Sequence, residues 1–271
     1  MEKDKPNLQS ATGMSLSRRE VLNLGLMAGA AAMIGPGPAQ AAGPPAKPAG
    51  QIVVGFSQEP TNFHPLMLGI EVDQGVYWNL YSPLWGVDAK GEFTPQLAAE
   101  VPTIANGGIS PDGLSWKIKL RDGVKWHDGT PFTAEDVKFT IDLINNPNFK
   151  AARRAGHELV KDIQIVSPTE IHWRMEKVYA PYPSIIAWTF IVPAHILSKV
   201  SDPNSSAFAA SPVGTGPFKW SERVAGDHIT LVANEHYYDK GPYVERLVFK
   251  YIPDLTVLSS PRWTSSMLAM S

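Results

Sequence analysis

The chain has no cysteine among its 271 residues. Disulfides, thiolate metal sites and a lipid-bearing N-terminal cysteine are therefore excluded. It has no surplus of charge either: the formal net charge is −2 and 18% of residues are charged, which gives no footing for nucleic-acid binding. The apolar run over residues 21–34 is rich in Gly and Ala, and it falls short of the about 20 residues a bilayer span needs. Catalytic signatures are missing too. The seven histidines show no H-E-x-x-H spacing, and no G-x-S-x-G marks a serine nucleophile. Gly214-Thr215-Gly216-Pro217 is not a phosphate-binding loop, because no Lys-Ser/Thr follows it. No enzyme is expected, and no cofactor is implied.

What is present begins with an address. Arg18 and Arg19 stand directly before the mild apolar run, and Ala39-Gln40-Ala41 follows it. A paired arginine, a short apolar region and an A-x-A site read as a twin-arginine export signal over residues 1–41, cleaved after Ala41 and engaging the Tat translocon. Residues 42–50 read as a Pro/Ala linker, which places the folded part in the periplasm. Eight tryptophans and eight tyrosines exceed what a lean core needs; a stacking site is one use for them and core packing the plainer one.

The most ordered pattern runs over residues 112–144. Trp116, Ile118 and Leu120 alternate with Lys117 and Lys119, the period of a strand with one buried face. Asp122-Gly123 and Asp128-Gly129 are turns, so a β-hairpin is expected. Thr133 is the expected N-cap of a helix with Glu135 and Asp136 in its first turn and Val137, Thr140, Ile141 and Ile144 on its core face. Elsewhere residues 51–57 read as a buried strand and 73–80 as a helix. Residues 163–166 and 171–175 read as paired strands, 182–188 as a short helix, and 229–233 and 246–252 as closing strands.

The wording of residues 112–144, DGLSWKIKLRDGVKWHDGTPFTAEDVKFTIDLI, closely resembles the signature of the family 5 extracellular solute-binding proteins, the peptide- and nickel-binding subunits of ABC importers. "P-x-L-A" at residues 95–98, the Pro-x-His turn at 193–195, "V-G-T-G-P-F" at 213–218 and "A-N-x-x-Y-Y" at 233–238 extend the likeness over residues 51–254. The resemblance implies an α+β, periplasmic-binding-protein-like first lobe. Its discontinuous core would be 51–57 with 191–258, and residues 58–190 would be an inserted subdomain carrying the signature. It also implies a second lobe missing from this sequence, with 259–271 as an atypical tail, so that the chain reads as truncated.

The same resemblance implies a function. Two lobes close by hinge motion around a di- or oligopeptide or related small solute, which passes to an ABC permease in the inner membrane. Most charged partners for the peptide would come from the second lobe. The loop after the first strand, with Glu59, Asn62, Phe63 and His64, is expected at the ligand cleft, although Phe63 and His64 depart from the family's pattern there. Thr215 and Gly216 would offer backbone groups near the hinge. Trp188 is a candidate cleft lining, as is Trp78, with core packing the plainer use of both. His127 is read as structural, and no metal ligands are assigned. An exported hydrolase, and a structural or chaperone-like periplasmic module, are the alternatives.

Overall fold

The alternation beginning at Trp116 forms a strand whose neighbour lies far along the chain. In the computed structural model, which describes residues 45, 47–205 and 207–254, β4 (Ser115–Lys119) pairs antiparallel with β6 (Glu170–Met175), setting Trp116 opposite Trp173 and Ile118 opposite Ile171. The expected hairpin across Asp122-Gly123 is therefore corrected. That turn leads away from β4, and only the second Asp-Gly turn folds back locally, where Trp126 N–H donates to the Thr130 carbonyl and Phe132 N–H to that of Val124. A long-range partner prevails because Trp173, Ile171 and Met175 supply a buried apolar face matching that of β4. The third strand, β5 (Val160–Ser167), completes a sheet of order β4-β6-β5.

Five elements precede that sheet or follow its first strand: β1 (Gln51–Phe56), α1 (Glu71–Leu80) and the small antiparallel pair β2 (Trp85–Val87) and β3 (Phe93–Pro95) before it, and α2 (Ala134–Asn145) after β4. As expected, Thr133 caps α2. The Asp136 carboxylate accepts the Thr133 N–H at 2.9 Å, and Val137, Thr140, Ile141 and Ile144 are buried. Two short helices, α3 (Tyr182–Ala187) and α4 (Ala194–Leu197), lead to β7 (Phe218–Val224), β8 (His228–Ala233) and β9 (Arg246–Tyr251).

These last strands form a four-stranded sheet of order β1-β9-β8-β7, in which only the β1–β9 pairing is parallel. Strand β1 was expected to be buried and is not: Gln51 and Ile52 are exposed and the rest half-buried. It lies at the sheet's edge with β9 as its one neighbour. Strand β7 was not foreseen, and a bulge between Trp220 and Glu222 breaks its two-residue period.

Two apolar cores result. One gathers Trp85, Trp116, Ile118, Trp126, Ile141 and Trp173 around the three-stranded sheet. The other packs Phe63, Tyr77, Tyr81, Phe190, Leu231 and Phe249 against the four-stranded one. Residues 63–81 thus share a core with β8 and β9. The architecture is mixed α+β. The export signal with Arg18, Arg19, Ala39 and Ala41, and the tail 259–271, lie outside the described residues.

Candidate functional site

The loop between β1 and α1 is shaped by one face of the helix that follows it. Asp73, Tyr77 and Tyr81 recur every fourth residue, so they line one side of α1 and its C-cap. The Asp73 carboxylate accepts the N–H groups of Thr61 and Ile70, each at 2.8 Å, and that of Asn62 at 3.4 Å. Tyr77 donates its hydroxyl to the Asn62 carbonyl at 2.9 Å, and Tyr81 to the Phe63 carbonyl at 2.7 Å. Burial raises the pKa of both phenols, so they stay protonated donors. Sequence reasoning missed all three; their four-residue spacing was the available signal.

Within this loop the expected ligand contacts hold structure. Glu59 accepts Arg223 through Nε at 3.2 Å and Nη2 at 2.7 Å, and Gly226 N–H at 3.1 Å, fastening the loop to the β7–β8 turn. Arg223 and that N–H hold the Glu59 carboxyl below its usual pKa. Asn62 donates to the Leu68 carbonyl and accepts the His64 N–H. Phe63 is buried against Trp220, with the Arg223 guanidinium over its ring. His64 is buried between Phe149 and Phe208, its Nδ1 accepting Leu66 N–H at 3.3 Å while its Nε2 has no partner. Burial lowers its pKa to about 4, so the imidazole is neutral.

Beyond the loop the chain opens. Residues 65–69, Gln74 of α1, Arg153 and residues 188–190 surround a cavity of about 130 Å³. Its rim is aromatic and uncovered. Trp188 in its wall is 52% exposed; Trp78, 38% exposed, lies outside the lining and meets the Trp188 ring edge to face at 5.2 Å. Trp78 also packs on Phe190 at 4.7 Å, and Leu68 is 82% exposed beside the cavity. The plainer expectation for these tryptophans, burial in the core, is corrected: α1 and the end of α3 turn both indoles outward. The lining mixes polar and apolar groups, and at about 130 Å³ the cavity is smaller than the roughly 300–1,000 Å³ of a whole small-molecule site.

The Gly214–Gly216 turn lies elsewhere in the structure's bonding. Gly216 N–H donates to Leu80 O at 2.8 Å, and Gly216 O accepts from Asn234 at 2.9 Å. His127 bonds both ends of the turn: its Nδ1 accepts Gly214 N–H at 3.0 Å, and its Nε2 donates to Gly216 O at 3.1 Å. Burial lowers its pKa to about 4, which fits the neutral tautomer those two bonds require. A Cβ on Gly214 would stand 1.8 Å from Leu80 O, so close backbone approach demands glycine there. Thr215 is fully buried and its hydroxyl has no partner. The structure therefore brings Trp188 to the cavity with the end of the 58–69 loop, and it sets Thr215 and Gly216 apart from it. Among the described residues, no group of three or more His, Asp or Glu is placed to hold a metal ion.

The chain has relatives among known proteins. The profile described as "Bacterial extracellular solute-binding proteins, family 5 Middle" matches residues 92–260. The chain is 32% identical over 209 residues to the oligopeptide-binding protein AppA of Bacillus subtilis, covering 76% of this chain and 37% of that one. The solved structure of AppA in complex with a nonapeptide superposes with a TM-score of 0.72 at 30% identity, over 78% of this chain and 42% of that one. NikZ of Campylobacter jejuni in complex with Ni(L-His) gives 0.71 at 29% identity, over 80% and 42%. The chain spans about two fifths of the length of these relatives.

Proposed function

Because the chain belongs to the bacterial extracellular solute-binding proteins, family 5, we propose that it captures a small solute, foremost a di- or oligopeptide, and delivers it to an ABC permease. The observation that carries this reading is the family match over residues 92–260; the likeness to AppA, an oligopeptide-binding protein, supports peptide as the solute. In this reading the protein works by binding, not by chemistry, and its family is one of binding proteins. Export through the Tat translocon to the periplasm is part of the same proposal and rests on Arg18, Arg19 and the Ala39-Gln40-Ala41 site.

The site residues fall into two roles. Trp188, Trp78, Leu68 and Gln74 face the solute, the indoles offering flat apolar surface of the kind that binds with little loss of side-chain freedom. Glu59, Asn62, Phe63 and His64 hold the loop that forms one wall, and Thr215 with Gly216 sits in the turn that His127 locks. Closure of a second wall over this one would bury the solute, as hinge-bending binding proteins do.

Tryptophan emission provides the test. Titration with mixed di- to pentapeptides should give a saturable change that Trp188→Phe diminishes. A flat response to peptides together with a saturable response to a nickel–histidine complex, the ligand named for NikZ, would replace the peptide with a metal chelate. Silence to both would remove the solute-binding reading.

A further inference from the structure

Each open sheet ends in two edge strands, and an edge strand left bare invites another strand. Most edges here are guarded. Outside β4 the chain pairs with itself: Ala99 N–H donates to the Lys119 carbonyl, Lys117 N–H to that of Gly108 and Ser110 N–H to that of Ser115. Strand β5 is broken by a register shift between Lys161 and Gln164, with Asp162 at φ 52 inside it. Strand β7 is broken by its bulge, beside exposed Glu222 and Arg223. Bulges and charges of this kind turn a further strand away. Strands β2 and β3 are only three residues each.

Strand β1 has none of these devices. Its six residues, QIVVGF, carry no charge and no proline. Its pairing with β9 runs without a register shift, and among the described residues no strand lies on its other side. The bonds to its neighbour fix where its backbone groups point. The Gly50 carbonyl accepts Glu245 N–H and Arg246 N–H, and the Phe56 carbonyl accepts Ile252 N–H. Backbone groups alternate sides along a strand. The even-numbered residues therefore face β9, and the N–H and C=O groups of Gln51, Val53 and Gly55 point away from the sheet. Of the side chains, Val54 and Phe56 pack against the second core, while Ile52, on the same face, is exposed.

We propose that the free edge of β1 pairs antiparallel with β1 of a second copy of this chain, about a dyad through Val53. Val53 then faces Val53 of the second copy, and Gln51 faces Gly55 in both directions, so every outward N–H and C=O meets a partner. Ile52 stands beside Val54 of the second copy, which carries the apolar core face across the junction. Gln51 meets a residue without a side chain. An uncharged strand sets no like charges against each other when it pairs with itself. The contact is isologous and consumes the β1 edge of both copies, leaving guarded β7 at each end of the joined sheet. It therefore closes as a dimer and does not propagate as a fibre. This surface is separate from the cavity beside Trp188 and does not rest on the solute-binding reading.

Sedimentation equilibrium of the purified chain over about a hundredfold range of concentration is the test. The wild type should pass from one chain per particle to two, and no further. Val53→Lys and Val53→Glu each set like charges on the dyad and should weaken the association about fivefold or more. Mixed in equal amounts, the two variants set opposite charges there and should restore it. Hydrogen exchange of the wild type reads the same edge without a substitution: the amides of Gln51, Val53 and Gly55 should slow as concentration rises. A single chain per particle throughout, growth past two chains, or undiminished association of both charged variants would overturn the proposal. So would a mixture no tighter than either variant alone, or exchange at the three amides that ignores concentration. Slow exchange at those amides in a single-chain particle would assign the edge to residues 255–271 of the same chain instead.

Discussion

Gly214 shows how a single side-chain atom can decide the fold around the site. A Cβ there would lie 1.8 Å from Leu80 O and 2.7 Å from Leu80 C, against backbone that cannot swing aside. Gly214→Ala should destabilise the protein by more than about 3 kcal/mol, the range of overpacked or strained core positions. Gly123→Ala, at φ +72 with nothing within 4 Å of the added atom, should cost only about 1 kcal/mol through its left-handed backbone. Urea unfolding of the two variants would show the contrast, and equal midpoints would contradict it. The tyrosines behind the loop give a subtler case. Tyr81→Phe leaves the Phe63 carbonyl without its donor in a buried place, at about 1–3 kcal/mol. If that bond positions the loop, the variant should also weaken solute binding beyond its loss of stability, measured well below its thermal midpoint.

At the scale of elements, α2 tests how its ends are tied. Asp136 accepts Thr133 N–H and Trp126 Nε1–H through one oxygen, at 2.9 and 3.2 Å, and Ala194 N–H through the other at 2.9 Å. It thereby joins the helix start to the turn before it and to α4. Asp136→Ala should cost about 2–4 kcal/mol by leaving one buried and two part-buried donors unmet, read as a lowered thermal midpoint; an unchanged midpoint would show the three bonds to be dispensable.

The helix itself was legible in the sequence, since Thr133, the acidic first turn and the 3.6-residue spacing all act within about a dozen residues. So was the face of β4, because alternation is local. The partner of β4 was not, because Trp173 lies 57 residues beyond Trp116 in the sequence, and pairing at that range depends on everything between. Strand β7 was hidden by its bulge at Trp220. At the site, Trp188 was a candidate lining residue with core packing the plainer expectation, and only the folded chain shows its indole exposed. The Asp73–Tyr77–Tyr81 face was written in the spacing but needed the loop's path to acquire meaning.

For the whole molecule, three buried histidines set the response to acid. His64, His127 and His157 each have their pKa lowered from 6.5 to about 4, in each case chiefly by burial. The folded pKa lies below the unfolded one, so as pH falls the unfolded chain takes up these protons first. Stability is full above about pH 6.5 and is lost as pH falls toward 4, by about 3 kcal/mol for each histidine. Glu59 and Asp128, whose pKa values are lowered, add losses at still lower pH, while Asp136, raised by burial, works in the opposite direction. Urea midpoints at pH 7.5 and pH 4.5 should differ clearly, the lower value at pH 4.5; equal midpoints would contradict the account.

The central claim is that the exposed wall around Trp78 and Trp188 holds a solute. The most direct measurement is native mass spectrometry of the protein mixed with di- to pentapeptides. The account predicts a noncovalent complex shifted by the mass of one peptide, and a weaker shift for Trp188→Ala. An unshifted protein mass across the whole peptide set, or a complex that survives Trp188→Ala and Trp78→Ala undiminished, would contradict it.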